Sequence, residues 1–440
     1  MRINFLFTIL LTYSIILSSC DGLPRTDEVD IAPYNTISGL SLPFQSQKKD
    51  NMLYVLDRKD YLYSIDLNNY SSLFNEDLKN KGKSGTLSSN NAKDSKTLSD
   101  AEKILLKLPK DTIRPAKIKL SDLKYSLTPI SFSLTPDGTS LYIVVCVACS
   151  DNEDIDGMYY VLNFDTTTKA ISNAFPLDKL TSYRVSDDEL TDVTTDAKKS
   201  TGNIASQIYA NDTNLFISGT KRLFIIPTKD GKVDPDYDYY TDKENSFISA
   251  ETTNTMSPYL IQEHNDKVYL SSREKDYGVH VYSYNLEEKT ISWVKKESLV
   301  NDVIGNHYPA CMNVFENKLY CSSYEMLGIF NIETENTEIL KSIEVCDSSF
   351  VCDVKTIEDY YAVGFNYKIE EDMTVSSGYN HFFIRSAVAF WDKEGNRLTA
   401  DNDYWIDGNI KAIELWKNGN SYFSISICQD KNVLIINQLK

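Results

Sequence analysis

Two acidic stretches carry residue types suited to holding a cation. In "NEDIDG", Asn152, Asp154 and Asp156 take alternate positions ahead of Gly157; in "DPDYDYYTD", Asp234, Asp236, Asp238 and Asp242 stand at the first, third, fifth and ninth places. Short oxygen-bearing side chains at alternate positions, with a glycine to turn the backbone, suit the flexible all-oxygen shell that calcium takes. Neither set is complete. The twelfth place of the first loop is Asn163 where a bidentate Glu belongs, and Tyr239 fills the glycine place of the second. Calcium binding and a solvated acidic turn both stay open for each loop, and no other cofactor is implied.

Cysteines are the second reactive group. Cys311 and Cys321 flank a turn near Asn317, where antiparallel strands would bring them close, and Cys346 and Cys352 bracket "CDSSFVC". Each pair is a candidate disulfide in an oxidising compartment. Seven cysteines follow Cys20, so one thiol is left over, and Cys428 is the candidate. Cys146 and Cys149 form a Cys-x-x-Cys in "VVCVACS", at the end of a β-branched run. A redox pair uses a helix N-terminus to lower a thiol pKa, and zinc needs a further Cys or His pair; neither is nearby. A structural role is the expectation there.

Catalytic signatures are missing. The chain has four histidines (His264, His280, His307 and His381), with no HExxH, G-x-S-x-G, phosphate loop or dinucleotide fingerprint. No catalytic residue is assigned, although a fold that gathers distant residues could still recruit His307, His381 and nearby acids. With 63 Asp+Glu against 45 Lys+Arg, the formal charge of −18 argues against nucleic acid as a partner, since phosphate binding needs a positive field.

The chain opens "MRINFLFTILLTYSIILSSC": one Arg, an apolar run over about residues 5–17, then small residues. That layout is a secretory signal, too short to span a bilayer comfortably. Its ending, Leu17-Ser18-Ser19-Cys20, resembles the lipobox of bacterial lipoproteins. The resemblance implies cleavage before Cys20, diacylglyceryl on its sulfur and a further palmitate-class acyl chain on the new amino terminus. Acyl chains contributing about 0.8 kcal/mol per buried methylene hold a protein on a membrane durably. Residues 1–19 then form a signal peptide and 20–30 a lipidated tether. The protein is expected on the extracytoplasmic side of the cell membrane or outer membrane, in the periplasm or at the cell envelope. An ordinary secretory signal with an incidental Cys20 is the alternative.

Residues 31–440 must position everything else, and they repeat. "NDKVYLSS" from Asn265 and "ENKLYCSS" from Glu316 share a polar turn, an apolar–Tyr–apolar strand and paired serines. Related units begin at Asn51, Pro136, Asp212 and Asp359, and a last one, "SYFSISICQDKNVLIINQLK", ends the chain. Period-two alternation between clusters of Asp, Asn, Gly and Lys predicts β-hairpins. Flanking extended pieces such as "PISFSLT" and "CDVKTIE" bring each unit to three or four strands. A four-stranded antiparallel sheet at this spacing predicts an all-β fold, a β-propeller of seven blades. The last unit stops at its third strand, so "DIAPYNTISGLSLPF" near the start is expected to supply the fourth. Residues 74–103 read as a mobile insertion, polar at its core, with "SDAEKILLKL" forming a short helix capped by Ser99 or Asp100.

The turn "PDGTSLY" resembles the tandem-repeat propellers of the YVTN and WD-like classes, without their WD and GH dipeptides. That resemblance implies the propeller architecture and no reaction, since propellers host binding and catalysis alike; in layout, and not in any diagnostic motif, the chain resembles the lipoprotein propeller of the outer-membrane barrel-assembly machine. A binding or scaffolding module is the leading expectation, attached to the membrane through lipid and meeting an envelope protein or a glycan. The tyrosine-rich "YDYYTD" is a candidate aromatic patch for such a partner. A lactonase- or glycan-hydrolase-like enzyme with channel acids and a divalent cation is the alternative.

Overall fold

The computed structural model describes residues 34–74, 92–109, 123–152, 155–176, 207–219, 222–229, 232–233, 258–273, 279–288, 290–295, 309–323, 326–334, 337–341, 349–370, 382–399 and 406–440. Cys20 and the rest of the expected signal and tether lie outside them. No described helix is long and apolar enough to cross a membrane.

The described strands form seven sheets. Strand β1 (Tyr34–Ser38) comes first in the chain. Sheet I contains β2 (Pro43–Lys49), β3 (Met52–Asp57), β4 (Tyr61–Asp66) and, after an excursion through β5 (Ala92–Thr97), β6 (Lys103–Leu105). Sheet II is β7 (Ser126–Leu134), β8 (Ser140–Ala148), β9 (Tyr159–Asp165) and β10 (Ala170–Pro176). Sheet III is β11 (Gln207–Ala210), β12 (Asn214–Gly219), β13 (Arg222–Lys229) and β14 (Lys232–Val233). Sheet IV is β15 (Pro258–His264), β16 (Lys267–Arg273), β17 (Val279–Asn285) and β18 (Thr290–Lys295). Sheet V is β19 (Pro309–Phe315), β20 (Lys318–Ser323), β21 (Met326–Asn331) and β22 (Thr337–Lys341). Sheet VI is β23 (Ser349–Ile357), β24 (Tyr360–Glu370), β25 (Phe382–Asp392) and β26 (Ile406–Asp407). Sheet VII is β27 (Ile410–Asn418), β28 (Ser421–Cys428) and β29 (Val433–Gln438), completed by β1 and β5.

Local chemistry explains why one phrase recurs. Five sheets join their first two strands through two residues, the leading one at positive φ: Asp50, Asn265, Glu316, Glu358 and Gly419. Such a turn matches the right-handed twist of a strand pair. Five of the seven third strands end in Asp or Asn, whose side-chain oxygen holds the next turn. Asp165 accepts from Thr167 and Thr168, Asn285 from Glu287 and Glu288, and Asn331 from Glu333 and Thr334, all at 2.8–2.9 Å.

Packing proceeds from sheet to sheet and returns to its start. The first strands β2, β7, β11, β15, β19, β23 and β27 touch in that order, and β27 touches β2. Seven apolar cores match those junctions. One joins sheets I and II through Leu56, Leu62, Phe132 and Ile143; the last joins VII back to I through Phe423, Ile425, Leu53 and Val55. A single sheet leaves its faces open to water, so each is covered only by its neighbours. As expected from the missing fourth strand, β1 pairs antiparallel with β29, setting Asn35, Thr36 and Ile37 opposite Ile436, Ile435 and Leu434.

The excursion between β4 and β6 departs from the mobile insertion expected over residues 74–103. Leu67–Leu73 forms a 3-10 segment, and Phe74, 1% exposed, sits 4.1 Å from Trp416 and 5.5 Å from Phe423 between ring centroids. Strand β5 then lies parallel to β1. The expected helix shrinks to a 3-10 turn at Asp100–Glu102 with a Ser99–Glu102 capping box, followed by strand β6. Leu106 and Leu108, either side of Lys107, both enter the core between sheets I and II while Leu105 is exposed, so period two prevails over helical period.

Candidate functional site

Polar side chains stitch the first strands together at successive junctions. Gln47 of β2 donates to Phe132 O at 2.9 Å and accepts from Leu134 N at 2.7 Å. Ser133 of β7 accepts from Ala210 N, and Gln207 of β11 accepts from Ile261 N. Gln262 of β15 donates to Met312 O, and Asn313 of β19 donates to Val354 O, both at 3.4 Å. Asp353 of β23 accepts from Ile413 N of β27 at 2.9 Å. A backbone group facing another sheet has no ladder partner, so these side chains supply one.

Charge gathers where sheets VI, VII and I meet. Lys355 Nζ lies 3.1 Å from Glu414 Oε1 and 4.0 Å from Asp353 Oδ2, with side-chain exposures of 27%, 8% and 16% respectively. Burial raises the Asp353 and Glu414 carboxyls above their ordinary range, with Lys355 as the main opposing influence. Burial alone would lower the Lys355 ammonium, but Glu414 and then Asp353 more than reverse it and hold the pKa up. Lys48 of β2 is lowered by burial, partly offset by the charge of Glu414. This cluster is the strongest concentration of buried ionisable groups among the described residues. Asp353 also accepts from the N–H of the next residue, Val354, at 2.8 Å. The acids are therefore bound to lysine and backbone, an arrangement that fixes strand position.

The paired serines of the repeat have a related task. Ser218, Ser271 and Ser322, at matching places in three of the copies, are fully buried. Ser218 Oγ accepts from Gln207 N at 3.0 Å, and Ser322 Oγ accepts from Cys311 N at 2.9 Å. The pairing of β19 with β20 shifts register between Pro309 and Met312, so the Cys311 N–H falls within a bulge. A hydroxyl on the second strand replaces the lost ladder bond.

Cys311 and Cys321, one of the two pairs expected to bridge, do not. With a two-residue turn at Glu316–Asn317, Phe315 faces Lys318, and the register sets Cys321 opposite Met312. Cys311 is one residue out of step, so the thiols lie on opposite faces: Cys311 in the core between sheets V and VI, Cys321 in that between IV and V. Neither is in a disulfide, nor is Cys352; Cys346 lies outside the described residues. Burial raises the thiol pKa of Cys311, Cys321 and Cys352, the opposite of activation. Cys146 and Cys149 likewise sit on opposite faces of sheet II, both unbridged. Cys428 is buried, its thiol 3.0 Å from Asp430 Oδ1.

Of the candidate calcium residues, Asp154, Asp234, Asp236, Asp238 and Asp242 lie outside the described residues, as do His307 and His381. Asp156 Oδ1 accepts from Cys149 N at 2.8 Å, and the Asn152 carbonyl accepts from the Ile155 and Asp156 N–H groups. These two residues close their own loop. Among the described residues, no group of three or more His, Cys, Asp or Glu is placed to hold a metal ion. The Asp353–Lys355–Glu414 cluster was not singled out from the sequence. Its signal is present in "CDVKTIE" and "IKAIELWK", where charges interrupt strands that alternation assigns to the interior.

The sequence matches no known family profile and no curated protein. Among solved structures, the extracellular domain of BT4673 from B. thetaiotaomicron is similar at 8% identity and TM-score 0.43, over 92% of this chain and 40% of that one. A member of the DUF4221 family from Bacteroides vulgatus is similar at 10% identity and TM-score 0.42, over 72% of this chain and 96% of that one. BamB from Moraxella catarrhalis is similar at 11% identity and TM-score 0.36, over 71% of this chain and 84% of that one.

Proposed function

We propose that the chain is a seven-bladed β-propeller, lipid-anchored through Cys20 outside the cytoplasm, that binds or scaffolds another molecule of the cell envelope. The observation that carries this reading is the cyclic packing: seven sheets, seven cores between them, and a last core that joins sheet VII to sheet I. Each sheet is a blade, and the chain start completes the last one. The tether then leads directly into a strand of the scaffold, which holds the body close to the membrane while its loops face a partner. Charged groups between first strands are paired with one another and with the backbone, consistent with a rigid support.

Two measurements test the reading separately. Mass spectrometry of the protein from its own membrane should find Cys20 as the amino terminus with diacylglyceryl on sulfur; an unmodified Cys20, or a retained signal, contradicts the anchor. Crosslinking in that membrane, followed by affinity capture, should recover a stoichiometric partner that is lost with a Cys20→Ser variant. Recovery of the bait alone contradicts scaffolding.

A further inference from the structure

The excursion between β4 and β6 leaves sheet I, crosses to sheet VII and returns. On its outward leg, Leu73 O accepts from the buried Asn35 side chain of β1 at 2.7 Å, and Phe74 O accepts from Asn418 of β27 at 2.9 Å. Phe74 fills the core between the first and last sheets beside Trp416, whose indole N–H donates to Asn51 in the first turn of sheet I at 3.1 Å. On its return leg, β5 pairs with β1 in parallel, with Ser95, Lys96 and Thr97 beside Thr36, Ile37 and Ser38. The Leu98 N–H donates to Ser38 O at 3.1 Å, and Leu98 enters the same core. The two legs are fastened to each other. Tyr70 Oη lies 2.5 Å from Glu102 Oε1, Lys96 Nζ is 3.4 Å from Asn69 O, and that ammonium stands 5.5 Å from the centre of the Tyr70 ring.

We propose that this excursion is a clasp that locks the chain's first strand into the last sheet. Without β5, β1 would be the outer strand of sheet VII, held along one edge by β29 and free to peel. With β5 it is an inner strand, bonded along both edges and roofed by Phe74 and Leu98. Opening the seam then requires β5 to leave first or together with β1. The clasp itself needs no lipid. Its use, bearing load from a membrane tether that enters at Tyr34, rests on the anchor proposed above. A strand pulled along its length between two neighbours must shear the hydrogen bonds of both edges, whereas an edge strand shears those of one.

The test is amide hydrogen exchange on the purified full chain, comparing the native sequence with a Lys96→Pro/Thr97→Pro variant. Neither side chain is buried, and adjacent prolines remove the one of these two amides that faces β1 and constrain the backbone beside it, so the β5 ladder is broken there while the core keeps its volume. Protection over residues 34–40 should fall about tenfold or more, while residues 258–273 of sheet IV keep theirs. Unchanged protection over 34–40 overturns the clasp, and so does an equal loss in sheet IV. Should the variant fail to fold, the native chain gives a second reading. Across a denaturant series residues 34–40 should open at a free energy equal to or above that of 92–98; exchange of 34–40 while 92–98 is still protected overturns the proposal. Since neither measurement involves Cys20, failure of the anchor leaves the clasp standing, and the reverse holds too.

Discussion

At the scale of single residues, the cluster of Asp353, Lys355 and Glu414 offers the sharpest test of what fixes the wall. Breaking a buried ion pair from one side costs about 3–5 kcal/mol, because the remaining charge is left desolvated. Lys355→Met leaves two carboxylates and no cation between them, so we expect a loss of that order in urea denaturation at pH 7. The pH dependence follows from the direction of the shifts. Both carboxyls are raised above the ordinary values of 3.8 and 4.5, so across the window from there to their folded pKa the folded state holds more protons than the unfolded chain. Stability therefore falls as pH rises through that window. Losing Lys355 raises both carboxyls further, so the variant should recover part of its deficit at pH 5; an equal deficit at both pH values would contradict the assignment. These three residues lie in strands whose alternation was legible, yet their partnership was not, because the contact joins strands of different sheets. The cysteines teach the complementary lesson. Their separation suggested a bridge, but a one-residue offset in register turns neighbours in sequence to opposite faces.

At the scale of elements, the turns and strand ends were legible because their requirements are local. A two-residue turn with positive φ, followed by an apolar strand and a closing Asn or Asp, repeats with little variation. Glu316 and Glu358 are the exceptions in chemistry, at φ +49° and +50°, a conformation that costs a side chain with a Cβ about 1–2 kcal/mol. Glu316→Gly should relieve that strain and raise the thermal midpoint, with part of the gain offset by the greater freedom of glycine in the unfolded chain. A lowered midpoint would indicate that Glu316 makes a compensating contact. Strand β5 was not legible, because "AKDSKT" has no apolar alternation and pairs through its backbone and the small hydroxyls of Ser95 and Thr97 at Ser38. Phe74, the polar insertion's first residue, was likewise hidden by its neighbours. Phe74→Ala empties a site 1% exposed between two sheets and should cost about 3–5 kcal/mol in denaturant unfolding. A cost below about 1 kcal/mol would show that the seam closes without it.

At the scale of the whole molecule, the number of sheets and the joining of the chain's ends could be read from seven hairpin units and one missing strand. The polar stitches between first strands could not, because Gln, Ser, Asn and Asp serve the same junction by different geometries. The closed arrangement depends on β1 completing the sheet formed by the last three strands. The most direct measurement is an engineered crosslink between Thr36 and Ile435, directly opposite one another in the antiparallel pair. In a Thr36→Cys/Ile435→Cys chain, peptide mapping by mass spectrometry should find the disulfide formed within one molecule, joining the two ends. A chain in which these cysteines stay apart, or bond only between molecules, would contradict the closed arrangement.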